Sequence, residues 1–203
     1  MDRVILASTN SRVREINQAI LDRIPGDEYH YSSADSVIDA DPTLFQPEIL
    51  NSLQPSGTPP HQLSLKPNIP VILMRTLNKK AGLCNGTRLT ILELHPNHLK
   101  VRIASGKFKG KIQFLFRISC ISSDNRVPFQ LKRVQFPILP CFAMTINKAQ
   151  GQTLKHVGID VSTPIFSHGQ LYVALSRAED PNELFLFSDS QPVHNIVFDE
   201  IIC

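Results

Sequence analysis

The chain has 203 residues, 42% hydrophobic and 19% charged, the composition of a globular protein with room for one or two domains. Lys and Arg number 21 against 18 Asp and Glu, and the resulting net charge of +3 argues for a nucleic-acid partner only if the cations cluster. The opening apolar run Val4-Ile5-Leu6-Ala7 is far too short for a signal sequence, and no stretch nears the roughly 18 apolar residues of a membrane span, so an intracellular, soluble protein with no membrane partner is expected.

Val4 to Ala7 predicts a strand, Ser8-Thr9-Asn10-Ser11 a polar loop, and Val13, Ile16, Ala19, Ile20 and Ile24 a helix that Pro25-Gly26 stops. Strand, polar loop and helix form the unit of a parallel α/β sheet, whose strand-end loops are where ligands sit. From Asp39 to Pro70 seven prolines predict an irregular connection with one short helix over 48–53. Val71 to Arg75 predicts a buried strand, and 77–88 a loop containing Gly82 and Asn85-Gly86. Four β-prone runs follow, over 89–94, 99–103, 110–118 and 127–136, broken by turn residues such as Pro96-Asn97 and Asp124-Asn125, and together they predict a small antiparallel barrel. The α/β style then returns: a helical turn over 145–152, a strand over 157–161, a helix over 169–176 and a last strand over 183–187. The expected fold class is therefore α/β, with residues 1–38 and 137–203 forming one parallel-sheet domain, 39–88 a proline-rich connection and strand, and 89–136 an inserted β-barrel. The cysteines Cys84, Cys120, Cys141 and Cys203 form no C-x-x-C pair and have no His at zinc-ligand spacing, which predicts reduced, mostly buried thiols and no metal site.

Two segments concentrate polar chemistry. Ala143-Met144-Thr145-Ile146-Asn147-Lys148-Ala149-Gln150-Gly151-Gln152-Thr153-Leu154 packs Thr, Asn, Lys and two Gln around one Gly, more donors than a buried strand-to-helix junction needs. Amides at a helix start beside Lys148 suit phosphate oxygens, while a solvated, well-capped helix start explains the same residues equally well. In Phe166-Ser167-His168-Gly169-Gln170-Leu171-Tyr172-Val173-Ala174-Leu175-Ser176-Arg177-Ala178 the polar residues fall at the two ends of an apolar helix, and Arg177 suits its C-terminal dipole whether or not it does anything more.

Taken together, the two segments resemble motifs V and VI of superfamily-one helicases of the RecD and Pif type. The wording FSHGQLYVALSRA is similar to the branch carried by Helitron transposons, as are STNSRVREIN near the start, SADS at Ser33 to Ser36 and GLCNGTRL at Gly82 to Leu89. The resemblance runs in the family's order along nearly the whole chain. It implies a RecA-like second motor domain interrupted by a barrel of the Src-homology-3 kind, taken from an ATP-dependent helicase that moves 5′ to 3′ on single-stranded DNA. Arg177 then matches the arginine finger that reaches the γ-phosphate. Gly151, Gln152 and Gln170 match nucleotide-facing positions. Thr145, Asn147 and Lys148 match the part of motif V that lies along the DNA strand, and Asn10 the strand-end loop on that face. The family usually has His at 147; Asn keeps a donor and loses the ring. ATP and Mg²⁺ are the implied cofactors, with the Mg²⁺ ligands and the P-loop expected in an N-terminal RecA-like domain in cis. A nuclear location follows if the chain is transposon-derived in a eukaryote.

Two further segments imitate nucleotide motifs. Gly106-Lys107-Phe108-Lys109-Gly110-Lys111-Ile112 resembles a P-loop but has Ser105 where Gly is required and Ile112 where Ser or Thr is required, so it predicts a basic β-turn. Ile196-Val197-Phe198-Asp199-Glu200 resembles a Walker B strand but follows motif VI. Lys107, Lys109 and Lys111, with Lys100, Arg102 and Arg117, make the chain's basic cluster, interleaved with Phe108, Phe114 and Phe116, and this composition suits a single-strand track. A barrel with aromatics in its core and lysines in solvent is the alternative. Two rivals to a motor domain remain, a non-enzymatic single-strand-binding module and a decayed transposon remnant.

Overall fold

The computed structural model describes residues 3–38, 40, 45–55, 57–122, 129–189 and 193–198. The Asp124-Asn125 turn, the Asp199-Glu200 pair and Cys203 lie outside the described residues. The chain divides into two compact units, residues 1–24 with 141–203, and residues 25–140.

The first unit begins with β1 (Arg3–Ala7), which leads through Ser8 and Thr9 into α1 (Asn10–Arg23). Thr9 caps α1, its side chain accepting from the Arg12 amide at 3.3 Å, so a residue in the predicted polar loop starts the helix. Pro25 has no amide to continue the helix, and α1 closes at Ile24. The helix face turned inward centres on Leu21 and on Asn17, a polar residue the apolar spacing passes over. Asn17 Nδ2 donates to the Ala143 carbonyl at 3.1 Å, and its Oδ1 accepts from the amides of Phe142 and Ala143 at 2.9 and 2.8 Å. One amide side chain thereby fastens α1 to the strand that resumes this unit.

The second unit opens with β2 (Tyr29–Ser32), β3 (Ala34–Ile38), α2 (Pro47–Ser52), β4 (Gln62–Leu65) and β5 (Pro70–Leu73). It continues with β6 (Arg88–Leu94), β7 (His98–Ile103), β8 (Ile112–Phe116), β9 (Ile118–Ile121), β10 (Gln130–Gln135) and β11 (Ile138–Pro140). Its strands pair antiparallel in three ladders, β11-β5-β6-β7-β8, β3-β10-β9 and β2-β4. Residues 25–38, expected with the parallel sheet, and the expected connection of 39–88 share this unit with the β-prone runs of 89–136. The physical reason is pairing: β3 is zipped to β10 from Ile38 opposite Gln130 to Ala34 opposite Val134. The run expected as one strand over 110–118 breaks at Arg117, whose Nη1 donates to the Ser32 carbonyl at 2.7 Å.

The inner face of β10 is unusual for a core strand, because Leu131, Arg133 and Gln135 are all buried. Arg133 is fully buried and forks onto Asp35, itself 1% exposed, with contacts of 2.9, 3.1 and 2.6 Å. The same guanidinium donates to the carbonyls of Pro59 and Leu50, both at 3.2 Å. Gln135 Nε2 donates to the Tyr31 and His61 carbonyls at 2.7 and 3.1 Å. Beside its β4 ladder, the proline-rich segment thus takes donors for the carbonyls of Leu50, Pro59 and His61 from two side chains of one strand.

The chain then returns to the first unit through β12 (Ala143–Thr145), α3 (Ile146–Ala149), β13 (His156–Asp160), α4 (Gln170–Leu175) and β14 (Leu184–Phe187). Its sheet is parallel throughout, in the order β12-β1-β13-β14, with Ile5 opposite both Ala143 and Gly158. Val4, Leu6, Val157 and Ile159 are buried in it. Cys120 and Cys141 are buried and Cys84 is half-buried. Among the described residues no helix is long and apolar enough to cross a membrane.

Asp35→Asn leaves the buried Arg133 charge without its counter-charge, and a loss of about 3–5 kcal/mol in urea unfolding is expected. Lys132→Ala, one residue along on the other face of β10, should cost no more than about 0.5 kcal/mol. Comparable losses in the two variants would contradict the role given to the Asp35–Arg133 pair.

Candidate functional site

Parallel strands bring their C-terminal ends to one edge of a sheet, and in the first unit this edge collects the polar segments. Ala7 lies opposite Thr145, so the loop that ends in Asn10 and the segment from Thr145 to Lys148 leave the sheet side by side. Asn10, Asn147 and Lys148 are exposed, while Thr145 is 9% exposed and makes no side-chain capping bond. The helical turn expected over 145–152 is α3, and it goes no further because Gln150 leaves helical geometry at ψ 131° and Gly151 turns left-handed at φ +76°. One turn has too few aligned amides to hold phosphate by its dipole, so any such contact falls to side chains. Arg12, which the sequence did not single out, closes this edge by donating from Nε to Asp160 at 3.0 Å, with Nη2 at 2.9 Å from the same oxygen.

Gln152, next to the left-handed Gly151, connects to Arg177. Arg177 Nε donates to the Val173 carbonyl at 2.9 Å, Nη1 to the Gln152 carbonyl at 3.0 Å and Nη2 to Ser176 Oγ at 2.9 Å. Gln152 Nε2 in turn donates to the Lys148 carbonyl at 2.9 Å, so hydrogen bonds run without a break from Lys148 to Arg177. The backbone repeats the link, with the Leu154 amide bonded to the Arg177 carbonyl at 2.9 Å. Arg177 therefore caps α4, and capping uses three of the five N–H donors of a guanidinium. One hydrogen stays free of these bonds on each terminal nitrogen, which is the fork that suits a phosphate or carboxylate. Gln170 stands apart from this chain of bonds. It is 3% exposed, its Oε1 accepts from the Phe166 amide at 3.2 Å, and its Nε2 has no partner.

In the second unit Lys107, Lys109 and Lys111 are all exposed on the turn between β7 and β8. Gly106 and Gly110 make the turn possible with φ of +75° and +87°. Phe108 is not free to stack on a ligand: it lies over Gly82, where an added Cβ would come within 2.5 Å of its ring, and Lys111 Nζ sits 5.1 Å from its centroid. Phe114 and Phe116 do the opposite. They alternate with buried Leu115 and are 52% and 59% exposed. Sequence reasoning also passed over His95 and His98, whose rings stack with centroids 4.4 Å apart beside those phenylalanines.

Known proteins bear on both units. Residues 48–94 match the family model "DNA helicase Pif1, 2B domain", and residues 131–201 match a herpes helicase model. The chain is similar to the ATP-dependent DNA helicase PIF1 of Homo sapiens, 30% identical over 168 residues that make up 80% of this chain and 23% of that protein. It is similar to that of Xenopus laevis, 29% identical over 86% of this chain and 26% of that protein. The chain thus spans about a quarter of the length of these curated relatives. In fold it is similar to the crystal structure of Pif1 helicase from Candida albicans, with a TM-score of 0.76 and 24% identity, covering 100% of this chain and 48% of that one. A Bacteroides Pif1 bound to single-stranded DNA gives a TM-score of 0.74 at 22% identity, covering 98% of this chain and 44% of that one.

The exposed turn sets an expectation for strand binding by this chain. If its lysines touch phosphates, replacing Lys107, Lys109 and Lys111 by Ala should lower the log-log salt slope of single-strand binding by roughly 0.7 for each phosphate no longer touched. An unchanged slope, measured by anisotropy over a salt series, would leave the three lysines as solvating charges only.

Proposed function

We propose, since the chain belongs to the Pif1-type superfamily-one helicases, that residues 1–24 and 141–203 act as the second RecA-like motor domain of an ATP-dependent DNA helicase moving 5′ to 3′. Residues 25–140 are its inserted module, which we take as a small barrel of the Src-homology-3 kind. The Helitron branch is the finer assignment, and it rests on the wording FSHGQLYVALSRA. The observation that carries the proposal is the hydrogen-bonded path from Lys148 through Gln152 to Arg177, because a motor must link its strand contacts to its nucleotide contacts.

In this reading Asn10, Thr145, Asn147 and Lys148 meet the single strand, Gly151 and Gln152 face the nucleotide, and Arg177 presents its fork to the γ-phosphate. Lys107, Lys109 and Lys111 add phosphate contacts on the inserted module. Gln170 faces the nucleotide with Gly151 and Gln152: its Oε1 accepts from the Phe166 amide before α4, and its buried Nε2 is left without a protein partner. ATP with Mg²⁺ supplies the phosphoanhydride whose hydrolysis drives movement. The two terminal hydrogens left on Arg177 fit an anionic phosphate, and the P-loop and Mg²⁺ ligands belong to a first RecA-like domain in cis. Arg177 pre-organises positive charge where negative charge develops, and its capping bonds to Val173 and Gln152 fix the fork in place. Strand binding pulls on Lys148, and the Gln152 side chain carries that pull to the carbonyl that orients Arg177.

With a P-loop domain supplied in cis, Arg177→Ala is expected to lower ATP turnover about 10³-fold with single-strand affinity within about twofold of the parent. Lys148→Ala and Thr145→Ala should show the converse, weaker strand binding and a turnover that falls only because the strand no longer stimulates it. Because Arg177 also caps α4, a fall in melting temperature of roughly 2–4 °C accompanies the change. Unfolding of the Arg177→Ala variant, or turnover within a few-fold of the parent, would reduce Arg177 to a helix cap and contradict the proposal.

A further inference from the structure

The motor reading leaves unused a cleft on the inserted module. Tyr29 and Tyr31 of β2, Leu94, His95 and Pro96 at the β6–β7 turn, and Arg117 between β8 and β9 line a space of about 300 Å³. That volume stands at the small end of small-molecule sites and suits one flat group. Its walls continue into an aromatic row, since His95 stacks on His98 at 4.4 Å with planes 18° apart, and His98 meets Phe114 at 5.8 Å and Phe116 at 6.2 Å.

Arg117 is a fixed cation in this wall. Its Nη1 donates to Ser32 O and Gln135 Oε1, and the guanidinium lies 5.0 Å from the Phe136 ring centroid and 5.8 Å from that of Tyr31. The nearby carboxylate of Glu93 is engaged by Lys100 at 2.6 Å and His95 at 3.1 Å, so its charge does not oppose an anion. Tyr31 is 6% exposed, and its hydroxyl has no hydrogen-bond partner. Burial raises the Tyr31 pKa, which keeps the hydroxyl a neutral donor. A buried hydroxyl left unpaired in a protein is costly, and an acceptor on an occupant of the cleft would complete it.

An apolar occupant would use the rings and leave the hydroxyl and the cation idle, and an acidic peptide would use the cation and leave the rings idle. A nucleotide uses all three. We propose that this cleft takes one unstacked base of a single strand, stacked on Tyr29 and His95, with a base-edge acceptor on the Tyr31 hydroxyl and the adjoining phosphate against Arg117. This rests on the reading that the module meets single-stranded DNA, and it adds a contact that is made to a base rather than to the backbone.

The test compares a fluorescent oligothymidylate with an abasic strand of equal length and charge, binding to the full chain. The expected result is about tenfold tighter binding of oligothymidylate, the effect of one stacked base. Tyr29→Ala with His95→Ala should remove that preference and leave the salt slope intact, whereas the triple lysine variant should do the reverse. Tyr31→Phe should weaken oligothymidylate about fivefold while its melting temperature holds or rises, a combination that a purely structural hydroxyl would not give. Equal affinity of the parent for the two strands, or a preference that survives in the Tyr29→Ala, His95→Ala variant, overturns the cleft while leaving the phosphate track standing. Absence of binding to either strand overturns both.

Discussion

The inserted module depends on a charged pair in its interior. Arg133 and Asp35, each 1% exposed or less, would be ruinous alone in a medium of low dielectric. Together, with the carbonyls of Leu50 and Pro59 accepting two further N–H donors, four of the five donors of the guanidinium are used. The arrangement solves a specific problem. Outside β4 the proline-rich stretch has carbonyls that no strand partner reaches, those of Leu50 and Pro59 among them, and a buried arginine has enough donors to reach several at once. The Arg133 guanidinium thus ties Asp35 of β3, Leu50 of α2 and Pro59 of the proline segment to β10.

The same constraint explains where the sequence was opaque. Gln130 to Gln135 has the alternation of a strand, but hydrophobicity alone would never turn Arg133 and Gln135 inward, and it is their partners, far away in the chain, that do so. SADS was legible as a family wording, yet its content is structural: Ser33 donates to Asp35 at 2.6 Å, and Asp35 meets Arg133. GLCNGTRL is similar, a left-handed Gly82 that leaves room for Phe108 and a Thr87 hydroxyl that donates to the Gly82 carbonyl at 3.0 Å. Local signals did better in the other unit. Apolar runs at 4–7 and 157–161, the polar loop between β1 and α1 and the Pro25 stop are all decided within a few residues, and the parallel sheet follows from them.

The candidate site divides in the same way. Its residue types were visible because Thr, Asn, Lys, Gln and Arg crowd two short segments, but its connectivity was not. That Gln152 joins Lys148 to Arg177 is a matter of side-chain rotamers, that Phe108 lies over Gly82 is a matter of turn geometry, and that Phe114 and Phe116 turn outward is a matter of strand phase. The cap observed at Arg177 does not exclude the finger proposed for it. Three donors hold the guanidinium against backbone and Ser176, and the remaining fork is thereby oriented at no further entropic cost.

If this chain is one half of a two-domain motor, the direct test is DNA-stimulated ATP hydrolysis by the chain fused behind a P-loop RecA-like domain of a Pif1-type helicase. Turnover on the order of 1 per second or faster is expected for the fusion, within the usual range of enzymes, and none for the chain by itself. A fusion that binds single strands but hydrolyses ATP no faster than the P-loop domain alone would contradict the motor reading.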